Sequence, residues 1–147
     1  MNKPIIFLLE EDNDSRPLLK KALQNRGYKV LLSVEAEDAL QRVDDGLLSS
    51  DLLMVNLLRK TEFEMLDFGN LLLEKASLNI PVVTVAAKYG KELEGTTVQV
   101  RENQYIVYME NGDELFDLLS RLTQTKAPTL LFSGINELQP VPICSDI

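Results

Sequence analysis

Short apolar runs alternate along this chain with segments in which apolar residues recur at helical spacing. The runs are residues 5–9, 30–32, 52–57, 81–85 and 105–108. The first of them is apolar at every position, which is typical of a central strand buried on both faces of a parallel sheet. Alternation of such strands with helical segments is typical of βα units. The pattern therefore predicts an α/β fold with five parallel strands.

The segments between the runs carry helix start and stop signals. Asp14 is a candidate N-cap for a first helix that ends at Gly27, and a second helix is predicted over residues 35–43. Thr61 is a candidate N-cap for a third helix, with Phe63 and other residues along one face (Leu66, Asn70 and Leu73). A last helix is predicted over residues 113–122. Together these elements predict a doubly wound, flavodoxin-like sheet, whose ligands bind at the carboxyl ends of the strands.

The segment between the fourth and fifth runs departs from this pattern. A fourth helix is due there, but Gly95 and the β-branched Thr96-Thr97-Val98 that follow it disfavour helix. We expect a short or distorted helix, with extended structure after Gly95.

Length and composition indicate how the chain is organised into domains. The 147 residues are 45% hydrophobic and 26% charged, which favours one folded domain over a disordered chain. We place that domain at residues 1–124 and treat residues 125–147 as a partly apolar C-terminal extension, which packs on its own domain or docks on a partner. No run approaches the roughly 18 apolar residues of a membrane span. The single Cys144 excludes an internal disulfide, so we expect a cytoplasmic protein.

Charge and the lack of one residue type exclude several function classes. The net charge is −8, which opposes binding to nucleic acid and to anionic membranes. The sequence contains no histidine, which excludes Ser-His and Cys-His catalysis and histidine metal sites.

Two acids, Glu10 and Glu11, follow the first strand, and Asn56 ends the third. Ala86 follows Asn56 by 30 positions, and Tyr108 follows Ala86 by 22. In this spacing the chain resembles the response-regulator receiver family over about residues 3 to 124. In that family the corresponding positions hold two Mg²⁺-binding acids, a phosphoacceptor aspartate, a hydroxyl residue and a lysine.

The resemblance implies a degenerate phosphoacceptor site, because three of these positions carry other side chains. The amide of Asn56 lacks the anionic oxygen that attacks phosphorus, and it binds a hard cation less well than a carboxylate does. Ala86 cannot donate a hydrogen bond to a phosphoryl oxygen, and Tyr108 cannot form the ion pair of a lysine. We therefore expect no phosphorylation at Asn56, no cofactor and no bound metal. Binding of a divalent cation by the two acids stays open, as does replacement of the lysine by Lys88 or Arg59.

The prediction is an atypical receiver module in signal transduction that is not an enzyme and acts by phosphorylation-independent protein–protein interaction. In the family, the face of the fourth helix, fifth strand and fifth helix binds a protein partner or a second copy. The candidate residues here are Glu94, Gly95, Tyr105, Tyr108 and Met109. Two alternatives remain: a conventional receiver phosphorylated at Glu10 or Glu11, and binding of a nucleotide or flavin in the strand-end crevice.

Overall fold

The computed structural model of the protein describes residues 3–46, 48–86, 96–108 and 113–124. The strands are β1 (Ile5–Glu10), β2 (Lys29–Ser33), β3 (Leu52–Asn56), β4 (Val82–Ala86), β5 (Thr96–Arg101) and β6 (Gln104–Tyr108). The helices are α1 (Ser15–Asn25), α2 (Ala36–Asp44), α3 (Glu62–Ala76) and α4 (Asp113–Gln124). The extension predicted at residues 125–147 lies outside the described residues.

The strands form one sheet in the order β2-β1-β3-β4-β6-β5. β2, β1, β3, β4 and β6 run parallel, and they are the five strands that the apolar runs predict. The doubly wound, flavodoxin-like fold is therefore confirmed. β5 adds a sixth strand at the edge, antiparallel to β6.

β5 stands where the sequence pattern leaves a fourth helix in doubt. The extended structure expected after Gly95 is confirmed, since β5 begins at Thr96. A tight turn at Glu102 and Asn103 leads directly into β6, and Asn103 has a φ of 64°. Asparagine tolerates this left-handed conformation better than most residues. The distorted helix expected before Gly95 lies outside the described residues.

Helices cover both faces of the sheet and enclose two apolar clusters. Phe7 and Leu9 of β1 point into a cluster completed by α2 and α3. Ile6 and Leu8 point into a second cluster, completed by α1 and α4. Successive side chains of a strand point to opposite faces, so a strand buried on both sides is apolar at every position.

The predicted cap of α3 is confirmed. The Thr61 side chain accepts a hydrogen bond from the Glu64 backbone N–H at 3.1 Å, and the Glu64 carboxylate accepts one from the Thr61 N–H at 2.9 Å. These two bonds form a capping box. Of the residues predicted along one face of α3, Leu66 and Leu73 are buried and Phe63 is 53% exposed. Helix α3 approaches the sheet at Gly69, where an added Cβ would lie 2.7 Å from Cγ1 of Val82.

The predicted cap of α1 is wrong. Asp14 has helical backbone angles and makes no side-chain capping hydrogen bond. Asp12 takes this part, because its carboxylate accepts hydrogen bonds from the Ser15 N–H at 3.1 Å and from the Ser15 hydroxyl. The start of α1 is therefore tied to the acidic loop that follows β1.

Candidate functional site

Glu10 and Asn56 form the centre of the candidate site. They are register partners at the carboxyl ends of the adjacent parallel strands β1 and β3. The Asn56 side-chain amide donates a hydrogen bond to Oε2 of Glu10 at 2.6 Å. The backbone N–H of Asp12 donates a second bond to the same oxygen at 3.1 Å. The amide at position 56 therefore serves as a donor to the neighbouring acid.

Glu10 is a buried acid, with 2% of its surface exposed. Burial raises the pKa of Glu10 above its ordinary value, while the hydrogen bonds from the Asp12 backbone and the Asn56 amide lower that pKa by smaller amounts. Arg16 also lowers the pKa of Glu10, but its guanidinium donates to the backbone carbonyl of Glu10 at 2.9 Å. The carboxylate is thus stabilised by dipoles and by a cation that it does not contact directly.

Glu11 connects the acidic loop to the loop after β3. Its backbone N–H donates to the Asn56 carbonyl at 3.0 Å, and its carboxylate accepts a hydrogen bond from the Leu58 N–H at 2.8 Å. Asp12 is occupied with Ser15, whose hydroxyl holds the pKa of Asp12 below its usual range.

The three consecutive acids therefore have separate hydrogen-bond partners. Across the described ranges, no group of three or more His, Cys, Asp or Glu side chains could hold a metal ion.

Ala86 and Tyr108 are placed together, but apart from the acids. They are register partners on β4 and β6. Ala86 is buried in the cluster beneath α2 and α3, and Tyr108 packs against that cluster. Glu10 and Asn56 face the side of α1 and α4, where they line a cleft with Leu8 and Met54. Glu10 and Asn56 thus lie on one face of the sheet, and Ala86 and Tyr108 lie on the other.

Among the described residues, Arg16 is the cation that contacts the acidic loop, and sequence reasoning did not single it out. Lys88 lies outside the described residues. Arg59 is exposed with a φ of 63°, and in the described part of the chain the ion pairs within 4.0 Å are Arg42–Asp38 and Arg101–Asp67. Arg16, in the first turn of α1, contacts Glu10 and Asn13 instead. Its position just after the acidic loop is the sequence signal that could have identified it.

Two of the predicted partner-binding residues lie on the described part of β6. Tyr105 is half-buried against the apolar cluster of α1 and α4, and Tyr108 is half-buried against the opposite cluster. Glu94, Gly95 and Met109 lie outside the described residues. None of the helices in the described ranges is long and apolar enough to cross a membrane.

Comparisons with known proteins identify the fold. No protein-family model matches the sequence. No curated protein matches it either. Among solved structures, the chain is similar to a response regulator from Thermotoga maritima, with 16% identity and a TM-score of 0.61 over 84% of this chain and 99% of that one.

Two further solved structures are similar to the same extent. One is the N-terminal domain of a response regulator/sensory box/GGDEF three-domain protein from Carboxydothermus hydrogenoformans, at 18% identity and a TM-score of 0.60, covering 82% of this chain and 94% of that one. The other is the Thermotoga maritima response regulator TrrA in complex with Mg²⁺ and BeF, at 20% identity and a TM-score of 0.57, covering 81% and 98%. The chain therefore has the fold of response-regulator receiver domains.

Proposed function

We propose that this protein is an atypical receiver module of signal transduction that acts through phosphorylation-independent protein–protein interaction and catalyses no reaction of its own. The observation that carries the proposal is the 2.6 Å hydrogen bond from the Asn56 amide to the buried Glu10 carboxylate. Phosphoryl transfer to a receiver needs an anionic oxygen at position 56 and a cation that screens it. Here a neutral amide at position 56 donates a hydrogen bond to the acid.

The hydrogen bonds of the acids support the same proposal. Oε2 of Glu10 accepts two bonds, and Oε1 of Glu11 accepts one from the Leu58 backbone. A carboxylate that attacks phosphorus must be accessible to the phosphodonor and in line with its leaving group. Attack by Oε2 of Glu10 would break both of its hydrogen bonds, which disfavours the alternative of a conventional receiver phosphorylated at that acid.

We place the interaction with a protein partner or a second copy on the face of β6 and α4, beside β5. Tyr105 lies on the α4 side of β6 and Tyr108 on the opposite side near the end of the same strand, and tyrosine is enriched at protein interfaces. β5 pairs antiparallel with β6 and adds a sixth strand beside this surface, which the pattern of five parallel strands does not include. The proposal includes a cytoplasmic location and no contact with nucleic acid.

Incubation of the full chain with acetyl phosphate and Mg²⁺, followed by intact-mass measurement, tests the proposal. We expect no gain of a phosphoryl group. The matched control is the variant Asn56→Asp, which places an anionic acceptor oxygen beside Glu10 on the same frame and is expected to gain one. A stable phosphoryl group on the unmodified chain, mapped to Glu10 or Glu11, would show that it is a conventional receiver.

A further inference from the structure

A cleft of about 590 Å³ lies between α1 and α4, above the sheet. This volume is within the range of roughly 300–1,000 Å³ that is typical of small-molecule sites. Its walls are apolar and come from α1, the sheet and α4 (Leu19, Ala22, Met54, Val83, Leu115 and Phe116). Its polar groups, Glu10, Ser15 and Asn56, all lie at the carboxyl edge of the sheet. The cleft therefore suits a ligand with an apolar body and one polar end.

Among the described residues, the Glu10 carboxylate at the polar end of the cleft has no direct counterion. Within the described residues, both hydrogen bonds to the Glu10 carboxylate reach Oε2 and none reaches Oε1. Neither ion pair of the described ranges includes Glu10. Burial raises the pKa of Glu10, which means that its charged form is held at a cost. A cation placed against Oε1 would offset that cost.

The charges around the cleft select against anionic ligands. Glu11 and Asp12 follow Glu10 directly, and the chain carries a net charge of −8. Arg16 is held by the Glu10 carbonyl and by Asn13. A phosphate or carboxylate at this end would meet these acids, and the Arg16 guanidinium is already occupied, which disfavours nucleotides and flavins here.

We propose that the cleft binds a small amphipathic cation, with an ammonium group that donates to Oε1 of Glu10 and an apolar body that packs between α1 and α4. This site differs from the protein-binding face of β6 in both position and ligand, and it does not depend on the phosphorylation state.

Titration of the full chain with octan-1-amine and with octanoate, followed by calorimetry and by NMR chemical shifts, tests the site. The two probes share a chain length and differ in the charge of the head group. We expect the amine to bind about tenfold more tightly than octanoate, and the largest shifts to fall on residues that line the cleft. Equal affinities, or shifts elsewhere, would overturn the proposal.

Matched variants separate the head group from the apolar body. Glu10→Gln should abolish the preference for the amine, whereas Glu11→Gln, next to it in sequence but not lining the cleft, should keep it. Leu18 lines the cleft and is 72% exposed, so Leu18→Gln should leave the fold intact and weaken binding of both probes. An unchanged preference in Glu10→Gln would overturn the proposal. So would NMR contacts between residues 130–138 and the cleft in the ligand-free protein, because the cleft would then hold part of its own chain.

Discussion

Replacement of Asn56 by aspartate tests the role of the Asn56–Glu10 hydrogen bond directly. In the structure the Asn56 amide nitrogen lies 2.6 Å from Oε2 of Glu10. Asn56→Asp keeps the shape of the side chain and places a second carboxylate there. We expect the variant to be less stable than the parent at neutral pH and to recover stability when Mg²⁺ is added.

The size of the effect follows from three terms. Two carboxylates about 4 Å apart repel each other by about 4 kcal/mol at the effective dielectric constant of 20 that suits such pairs. Loss of a hydrogen bond to a charged acceptor costs a further 1.5 to 3 kcal/mol, roughly. Protonation of one of the two carboxylates removes the repulsion between them, and it costs about 1.36 kcal/mol for each pH unit above the pKa of that acid. This cost therefore sets an upper limit on the loss of stability. The expected loss in unfolding free energy is therefore roughly 2–4 kcal/mol at pH 7 and smaller at pH 5.

Urea denaturation followed by circular dichroism measures this loss at pH 5 and pH 7, with and without Mg²⁺. A cation that binds only the folded state stabilises that state. Mg²⁺ should therefore reduce the difference in unfolding free energy between Asn56→Asp and the parent. Asn56→Ala removes the donor without adding charge, and its stability should not respond to Mg²⁺. The double variant Glu10→Gln/Asn56→Asp should recover stability at pH 7. Equal stability of Asn56→Asp and the parent at pH 7 without Mg²⁺ would contradict the predicted repulsion between the carboxylates at positions 10 and 56.

Three further predictions concern the acid, a helix cap and a close contact. Burial raises the folded-state pKa of Glu10 above 4.5. The stability of the parent protein relative to Glu10→Gln, measured by urea denaturation across the acidic range, should therefore fall as the pH rises from below 4.5 through that raised pKa. A relative stability that rises over this pH range would contradict the direction of the pKa shift. Thr61→Ala should lose about 1 kcal/mol in urea denaturation, whereas Thr61→Ser should keep most of the stability. Gly69→Ala should lose about 1–3 kcal/mol in the same assay despite the better helix propensity of alanine, because its Cβ would lie 2.7 Å from Cγ1 of Val82; equal or greater stability would mean that the sheet yields there.

The parallel strands could be predicted from the sequence because their burial leaves a local signal. β1 and β3 are covered on both faces, so their sequences are apolar at nearly every position. The extended character of β5 was also predictable, from Gly95 and the β-branched residues after it. Its antiparallel pairing with β6 was not, since strand pairing depends on contacts between segments and not on the composition of either one.

The candidate site was predictable in its residue types and only partly in its geometry. The positions of Glu10, Glu11 and Asn56 at the ends of predicted parallel strands were enough to predict that they lie at one edge of the sheet. The direction of the Asn56–Glu10 hydrogen bond and the contact of Arg16 with the Glu10 carbonyl depend on rotamers and on where α1 begins. The cap of α1 was misplaced because Asp12 and Asp14 are equally good capping residues by type, and only the backbone path distinguishes them.

The hairpin of β5 and β6 affects the tendency of this protein to associate through its sheet edge. Among the described strands, β5 pairs on one side only, so its outer backbone groups form a template on which another extended chain could be added. A shift in register between Gln99 and Arg101 interrupts that template, and the Arg101 side chain, held by Asp67 at 3.3 Å, places charge at its end. Irregularity and charge are the common natural defences of exposed sheet edges against aggregation. In this fold the antiparallel edge strand carries both.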